Sequence, residues 1–356
     1  MDFNFSDEQT MIRDSLARLL RDQYDFDTRR KVVSSESGWR PEMWQQFAEL
    51  GLLAAPFSED DGGLGGGAVD SMVIMEEFGK ALVVEPYVPT IVCAGGFLKH
   101  AGTDEQKAKW LPKLASGEAV ATLAVDESAR HDPSSIETSV SGGKMTGKKA
   151  FVHEAHGADL FVVAAKDGLY LVENGDGVSL TTRKLTDQRN HADIAFDGAA
   201  AEKLEGGGDS LLEDVLDRAR VLTAAEMLGM AQAVFDTTLD YLKQRVQFSQ
   251  VLATFQALQH RMADLFADLA QMRSAVEGGL QAIDSGFGVA QAATVAKAEA
   301  NRVLHLISNQ GIQLHGGIGM TDEYDVGFYL KRARVLESSW GSSSYLRDRF
   351  ARLSKY

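Results

Sequence analysis

The spacing of hydrophobic residues changes twice along the chain. In the first part, apolar side chains recur every three or four positions, as at Met11, Ile12, Leu16 and Leu19, which is the spacing of one face of an amphipathic helix. Short apolar runs then follow, such as Leu160-Phe161-Val162-Val163-Ala164, with Gly, Asp and Asn between them. Such runs are typical of a small antiparallel β domain. Helical spacing returns afterwards in longer segments.

This pattern predicts a mostly α protein with a central β domain. We expect an N-terminal helical domain at residues 1–120, a middle antiparallel β domain at 121–207 and a C-terminal helical bundle at 208–356. The bundle is expected because the apolar positions between Leu258 and Leu280 keep the helical spacing without interruption, and because long helices with short connections favour antiparallel packing.

Local signals predict where several helices begin and end. Ser6, followed by Asp7-Glu8-Gln9, is a candidate N-cap, and either Thr103 or Asp104 can cap a helix that runs to Leu114. A helix that begins at Pro41 should end at Gly51, because glycine adopts the left-handed conformation after a C-terminus. Asp284-Ser285-Gly286 should break the helical pattern before a further helix at Gln291–Ser308.

Composition narrows the class of protein. The formal net charge of -15 argues against non-specific binding to nucleic acid or to an anionic membrane surface. The single cysteine, Cys93, excludes an intramolecular disulfide framework. No basic and apolar leader opens the chain, and no apolar run is long enough to span a membrane. We therefore expect a cytoplasmic protein, and no metal site is expected.

Two glycine-rich segments are candidates for a binding site. Asp61-Gly62-Gly63-Leu64-Gly65-Gly66-Gly67 lacks the lysine and the Ser/Thr of a phosphate-binding P-loop, so we expect it to shape a turn. Gln313-Leu314-His315-Gly316-Gly317-Ile318-Gly319 follows a long amphipathic stretch. Its glycines allow a backbone to approach a flat or anionic ligand closely.

The order of several motifs resembles the acyl-CoA dehydrogenase family over essentially the whole chain. The motifs are Glu59-Asp60-Asp61-Gly62-Gly63-Leu64-Gly65, Trp110-Leu111-Pro112-Lys113-Leu114-Ala115-Ser116-Gly117-Glu118, Gln244-Arg245-Val246-Gln247-Phe248 and Gln313–Gly319. The resemblance implies FAD as cofactor, an acyl-CoA thioester as substrate and an electron-transfer flavoprotein-type acceptor. In the family reaction a base removes the α-proton and the β-hydrogen leaves as hydride to the flavin, which gives a 2-enoyl-CoA.

The resemblance also assigns flavin-binding roles to individual residues. Arg245 matches an arginine that reaches the FAD phosphates, although a surface helix arginine is the alternative. Phe248 matches a flavin contact or is a core residue. Gly316 and Gly317 are close-approach glycines or part of a plain loop. The polar flavin contacts of the family match Gln256 and Gln313.

The positions of the catalytic base depart from the family pattern. The turn that normally carries a glutamate has Trp340, and the alternative position before an arginine has Ala219 followed by Arg220. Neither side chain can abstract a proton. Two turns that normally cradle the flavin ring are also altered, to Asp126-Glu127-Ser128 and Phe151-Val152-His153.

Other carboxylates are weaker candidates for the base. Glu226 lies seven residues after Ala219, hence on the same helix face, in an apolar stretch where an unpaired carboxylate is unfavourable. It is either the base or the partner of a buried arginine. Asp217 is rotated away from Ala219 by about 200°, and Glu337 is a poorer candidate still.

The departures resemble the smaller subunits of two-component acyl-CoA dehydrogenases, in which the partner can supply the base. Three hypotheses remain. The chain pairs with a larger homologous acyl-CoA dehydrogenase subunit, as in a heterotetramer; or it is a self-sufficient homo-oligomer that uses Glu226 or Asp217; or it is a flavin-free structural or regulatory subunit.

Overall fold

The first part of the chain is helical. The computed structural model describes residues 5–35, 37–206 and 210–356. Ser6 and Thr103 each begin a helix with a capping box, in which the cap hydroxyl accepts the N3 amide and the N3 glutamine returns a bond. Gly51 has a φ of +74°, as a residue after a helix end requires. The helices are α1 (Asp7–Gln23), α2 (Phe26–Ser34), α3 (Pro41–Glu49), α4 (Ala68–Ala81), α5 (Gly95–Ala101), which follows a π-helix at Val88–Ala94, and α6 (Asp104–Ala115).

The middle of the described chain forms two four-stranded sheets, with strand orders β1-β4-β5-β8 and β2-β3-β7-β6. All pairs within them are antiparallel except β1–β4, which is parallel and pairs Ala121 with Leu160. The prediction of an antiparallel β domain is confirmed, with the β1–β4 pair as the exception. The strands are β1 (Ala121–Ala124), β2 (Ser139–Ser141), β3 (Lys144–His153), β4 (Leu160–Ala165), β5 (Gly168–Glu173), β6 (Val178–Lys184), β7 (Asn190–Ala200) and β8 (Glu202–Lys203).

Long helices return after the sheets. The third of them runs to His315, beyond the expected end at Ser308. Gly311 lies in this extension and is close to Val234, since a Cβ on Gly311 would lie 2.7 Å from that side chain. It packs against the helices before and after it. The elements are α7 (Leu211–Gln244), the hairpin strands β9 (Val246–Gln247) and β10 (Gln250–Val251), α8 (Gln256–Ser285), α9 (Val289–His315), α10 (Val326–Leu336) and α11 (Ser343–Leu353).

The chain divides into two compact units that do not follow sequence order. The bundle unit contains the described residues up to Phe26, together with Met72–Val83 and Arg220–Tyr356. The sheet unit contains Asp27–Ser71 and Val84–Ala219. The prediction of a mostly α protein with a central β region is confirmed; the division into three sequence segments remains a prediction.

A close helix crossing fixes α7 within the bundle unit. A Cβ on Gly79 of α4 would lie 2.0 Å from the carbonyl oxygen of Glu226, and a Cβ on Gly229 of α7 would lie 2.0 Å from the carbonyl oxygen of Glu76. The two helices approach each other at these glycines. Glu76 also accepts two hydrogen bonds from Arg273 of α8, at 2.8 and 3.2 Å, so α4 is tied to two helices of the bundle.

Among the described residues, no helix is both long enough and apolar enough to cross a membrane.

Candidate functional site

The segment after α7 displays Arg245 and Phe248 at the surface. The carbonyl of Arg245 accepts the amide of Leu252 at 2.8 Å, which closes the β9–β10 hairpin. Both turn residues, Phe248 and Ser249, have a positive φ, of 51° and 65°, as a type I′ turn requires. Non-glycine residues are strained there, and the strained turn leaves the Phe248 ring 84% exposed. Phe248 is therefore not a core residue, while Arg245 is exposed beside it in the chain.

The end of α9 displays a second exposed segment. Gln313 is exposed on the last turn, and Gly316 and Gly317 follow it, also exposed. Gly316 has a φ of +68°, and a Cβ on either glycine would have no neighbour within 4 Å. Gln256, at the start of α8, is exposed as well. These residues fit a dinucleotide ligand, because bare glycine backbone permits close approach, amide side chains can pair with polar groups, and a guanidinium binds phosphate.

The two exposed segments are joined by an aromatic contact that the sequence did not reveal. Tyr241 lies on the last turn of α7 and His315 is the last residue of α9. Their rings stack with centroids 4.4 Å apart and planes at 26°. The sequence does show Tyr241 close to the Arg245 motif and His315 within the glycine motif. That the two rings contact each other depends on how α7 and α9 pack.

The turn between α10 and α11 contains Trp340, the residue that the sequence resemblance matched to a position of the family base. Trp340 is buried and has a φ of 58°. Its carbonyl oxygen accepts a hydrogen bond from the Nε of the buried Arg220 at 2.9 Å. Lys297 donates to the carbonyl of Leu336 at 2.9 Å, and Asn301 donates to the carbonyl of Glu337 at 3.3 Å. Buried side chains thus hold the backbone of this turn, at a position where the chain has no carboxylate.

Lys297 is one of these side chains and lies completely inside the protein. It also donates to the Oδ1 of Asn301 at 2.6 Å. Burial, reinforced by the positive charge of Arg220, lowers the pKa of Lys297 to about 7.

Glu226 pairs with a buried arginine. The Nε of Arg332 donates to Oε1 of Glu226 at 2.9 Å and its Nη2 donates to Oε2 at 3.3 Å, with both side chains about 6% exposed. A bidentate pair of this kind occupies both carboxylate oxygens. The contact favours the structural alternative for Glu226. Asp217, the other candidate, is buried on the part of α7 that belongs to the sheet unit.

Glu337 lies at the C-terminal end of α10, and its carboxylate forms contacts with neighbouring side chains. Its carboxylate contacts Arg334 and the exposed His305, the latter at 3.2 Å. It is therefore bound to a neighbouring arginine and a neighbouring histidine, and stays a poor candidate for the base.

In the sheet unit, the carboxylates of Asp126 and Glu127 accept hydrogen bonds from backbone amides of the loop that follows them. Asp126 accepts the amide of Asp132 at 3.0 Å, and Glu127 accepts the amide of Thr138 at 2.9 Å. The ammonium of the buried Lys149 donates to Glu127 at 2.8 Å. Hydrogen bonds from Lys149 and from the 137–138 backbone outweigh the desolvation of Glu127 and lower its pKa to about 2. These carboxylates therefore stabilise the conformation of the loop.

The other altered segment, at the end of β3, is strained. Phe151 and Glu154 have φ values of 53° and 46°. Between them, the Nδ1 of His153 lies 3.2 Å from the Nε2 of the buried His191. His153 is thus a member of a histidine pair.

Comparison with known proteins gives matches over the whole chain. "Acyl-CoA dehydrogenase, N-terminal domain" matches residues 6–118, and "Acyl-CoA dehydrogenase, C-terminal domain" matches residues 206–354. The chain is 30% identical over 341 residues to the acyl-CoA dehydrogenase IpdE2 of Mycobacterium tuberculosis, covering 93% of this chain and 94% of that protein.

Solved structures of related proteins superpose on this chain. A chain of the steroid ACAD Tcur3481-Tcur3483 is 30% identical and superposes with a TM-score of 0.92 over 98% of each chain. A chain of the ChsE4-ChsE5 complex from Mycobacterium tuberculosis, 23% identical, superposes with a TM-score of 0.92 over the full length of both and shows the shared fold. Identity, coverage and fold agree with the resemblance seen in the motifs: this chain belongs to the acyl-CoA dehydrogenase family, whose members are oxidoreductases.

Proposed function

We propose that this chain is the smaller subunit of a two-component, FAD-dependent acyl-CoA dehydrogenase, and that a larger homologous subunit supplies the catalytic base. The observation that carries the proposal is the α10–α11 turn, where Trp340 replaces the base and Arg220, Lys297 and Asn301 hold the backbone. The buried ion pair of Glu226 with Arg332 supports it.

The residues of this chain bind and orient the cofactor in this account. Arg245 would hold the FAD pyrophosphate, since its guanidinium is exposed and suited to bidentate contacts. Gly316 and Gly317 would let the dinucleotide approach the backbone, and Gln256 and Gln313 would bind its polar groups. When bound, FAD supplies the acceptor for the β-hydrogen of an acyl-CoA thioester.

Proton removal needs a carboxylate that is not already paired. The α C–H of a thioester becomes acidic enough only when its carbonyl is polarised and the base is close to the proton. Glu226 could act as base only by breaking its two hydrogen bonds with Arg332 inside the protein, which is unfavourable for a buried ion pair. A carboxylate of a partner subunit avoids this penalty.

The bundle unit also exposes single aromatic residues that a partner could cover. Phe266 on α8 is 62% exposed, although its ring packs 6.2 Å from that of the buried Phe235. Phe248 and Phe287 are exposed by more than four fifths. Exposed aromatic residues on one helical bundle favour burial in an interface. The solved relative Tcur3481-Tcur3483 is named for two components, which supports a heteromer over a homo-oligomer.

The acyl group is proposed by analogy. The same relative is described as a steroid ACAD, so we propose a bulky acyl-CoA, such as a steroid side-chain or a dicarboxylic thioester. An electron-transfer flavoprotein-type protein would reoxidise the flavin.

The test compares the chain alone with the chain co-expressed with a larger homologous acyl-CoA dehydrogenase subunit. Visible flavin absorbance and oxidation of a panel of acyl-CoA thioesters are measured for both. We expect the lone chain to bind little flavin and to be inactive, and the co-purified complex to be yellow and active. An Arg245→Gln variant of the complex should lose flavin, whereas Arg352→Gln, at an exposed position on α11, should keep it.

Three results would contradict the proposal. Yellow and active protein from the lone chain would support a self-sufficient enzyme. A complex that carries no flavin would support a structural or regulatory subunit. Flavin that is retained in full by Arg245→Gln would remove the assigned cofactor contact.

A further inference from the structure

His315 is buried at the junction of α9 with the glycine segment, and its contacts define its chemical state. Its Nδ1 lies 2.8 Å from the carbonyl oxygen of Gly311, one helical turn earlier. A carbonyl only accepts, so Nδ1 carries the proton. Its Nε2 is buried and has no hydrogen-bond partner among the described residues. A second proton there would be unfavourable, and burial lowers the pKa of His315. The imidazole is therefore neutral, with one fixed tautomer.

Two tyrosines enclose this imidazole. Tyr241 of α7 stacks on it at 4.4 Å, and Tyr324, in the segment before α10, lies at 4.9 Å with its ring tilted by 56°. The two tyrosine rings meet edge to face at 5.6 Å. In addition, the hydroxyl of Tyr241 donates to the backbone carbonyl of His315 at 3.2 Å. Stacking and a hydrogen bond to the same residue fix both its ring and its backbone.

The enclosed imidazole joins the two segments that carry the proposed cofactor contacts. The amide of Arg245 donates to the carbonyl of Tyr241 at 2.9 Å, one turn away. Gly316 follows His315 directly, and Gly319 lies so close beneath it that a Cβ on Gly319 would be 2.9 Å from the Cβ of His315. The Cβ of His315 is thus in close contact with the glycine segment, and its ring stacks on Tyr241, which lies one turn before Arg245.

We propose that His315 is a positioning residue that holds the Arg245 segment and the Gly316–Gly317 segment at the separation a dinucleotide requires. It acts through Tyr241 and does not itself touch the ligand. The inference rests on the proposed function, because it concerns the FAD site assigned there.

The experiment measures FAD affinity in the co-expressed complex after the flavin has been removed. FAD is titrated by fluorescence, and the melting temperature of each flavin-free complex is recorded. His315→Gln keeps a donor for the Gly311 carbonyl but loses the stacked ring. His315→Phe keeps the ring but loses the donor. His305→Gln is the control, because His305 is an exposed histidine on the same helix.

We expect His315→Gln to raise the dissociation constant of FAD by roughly two- to tenfold, the size expected for loss of an aromatic stack. His315→Phe should restore most of the affinity, and His305→Gln should not change it. If His315→Gln does not fold, Tyr241→Leu removes the same stack from the less buried side and should weaken FAD binding similarly.

Two results overturn the inference alone. In one, the wild-type complex binds FAD but His315→Gln, or Tyr241→Leu in its place, binds it equally well. In the other, the loss of affinity follows the fall in melting temperature and His315→Phe restores nothing, which is the result for a merely structural residue. A wild-type complex without FAD would instead overturn the proposed function and, with it, this inference.

Discussion

At the scale of single residues, the buried contact of Glu226 with Arg332 bears on whether Glu226 is a base or a structural residue. Its carboxylate and the guanidinium of Arg332 are both almost completely removed from water and bind each other through two hydrogen bonds. Removal of one member of such a pair leaves the other as an uncompensated buried charge. The contact therefore favours a structural role for Glu226 in the bundle unit.

Glu226→Gln should therefore destabilise the protein strongly. We expect the free energy of unfolding to fall by about 3–5 kcal/mol, because Arg332 loses its counter-charge inside the protein. Urea denaturation of the purified complex measures it. The double variant Glu226→Gln with Arg332→Met should recover a large part of the loss. A single variant as stable as the wild type would show that the pair contributes nothing.

A second residue-scale prediction concerns Lys297 and pH. The pKa of a lysine in an unfolded chain is about 10.4, whereas burial lowers that of Lys297 to about 7 in the folded protein. Between these values the unfolded chain binds more protons than the folded one. The contribution of Lys297 to the free energy of unfolding is therefore fully present above about pH 10.4 and is lost as pH falls towards 7.

Stability curves of Lys297→Met and the wild type test this. Their difference should change with pH between about 7 and 10.4 and should be constant from pH 5 to 6. Lys31→Met, which changes an exposed lysine on α2, is the matched control. A Lys297→Met curve parallel to the wild type across the whole range would contradict the lowered pKa.

At the scale of elements, the crossing of α4 and α7 depends on two glycines. Each glycine meets a backbone carbonyl of the other helix at a distance that no Cβ can occupy. Backbone cannot move aside as a side chain can. The crossing therefore fixes the position of Glu226 relative to α4, and with it the path of α7.

Gly229→Ala should separate the two helices and lower the free energy of unfolding by about 2 kcal/mol or more, as overpacking does. Gly278→Ala is the matched control, since Gly278 lies exposed in α8 and its Cβ would meet nothing within 4 Å. That change should stabilise the helix by about 0.5–1 kcal/mol. Thermal unfolding of both variants measures the difference, and effects of the same sign would show that the crossing is not tight.

The elements also show what the sequence could and could not indicate. The capping boxes at Ser6 and Thr103 use residues three positions apart, so they are readable in the sequence. By contrast, the close approach of Gly311 to Val234 and the parallel β1–β4 pair join segments that are far apart in the chain. Such long-range contacts have no local signal.

In the candidate site, too, local motifs were readable in the sequence and long-range contacts were not. The exposed positions of Arg245 and Gly316 agree with motifs read from the sequence, although their roles remain predictions. The sequence left Glu226 open as base or partner, because Arg332 is more than a hundred residues away. The stack of Tyr241 on His315 was not anticipated, since it exists only when α7 and α9 pack together.

At the scale of the whole molecule, the proposed heteromer requires the bundle unit to bury its exposed aromatic residues. Phe266→Asp should weaken association with the larger subunit, because it places a charge at the centre of an apolar contact. Met11→Asp, at an exposed apolar position on α1, is the control and should not affect association. Co-purification and analytical ultracentrifugation measure it. Equal association of both variants with the partner would place the interface elsewhere.

The central claim is that this chain belongs to a flavin-dependent acyl-CoA dehydrogenase without providing its base. The most direct test is anaerobic bleaching of the flavin by one equivalent of an acyl-CoA, in the complex that carries Glu226→Gln and Asp217→Asn in this chain. The account predicts that the flavin, normalised to folded complex, is still reduced at close to the wild-type rate. A complex that retains its FAD but is no longer reduced would place the base in this chain and contradict the account.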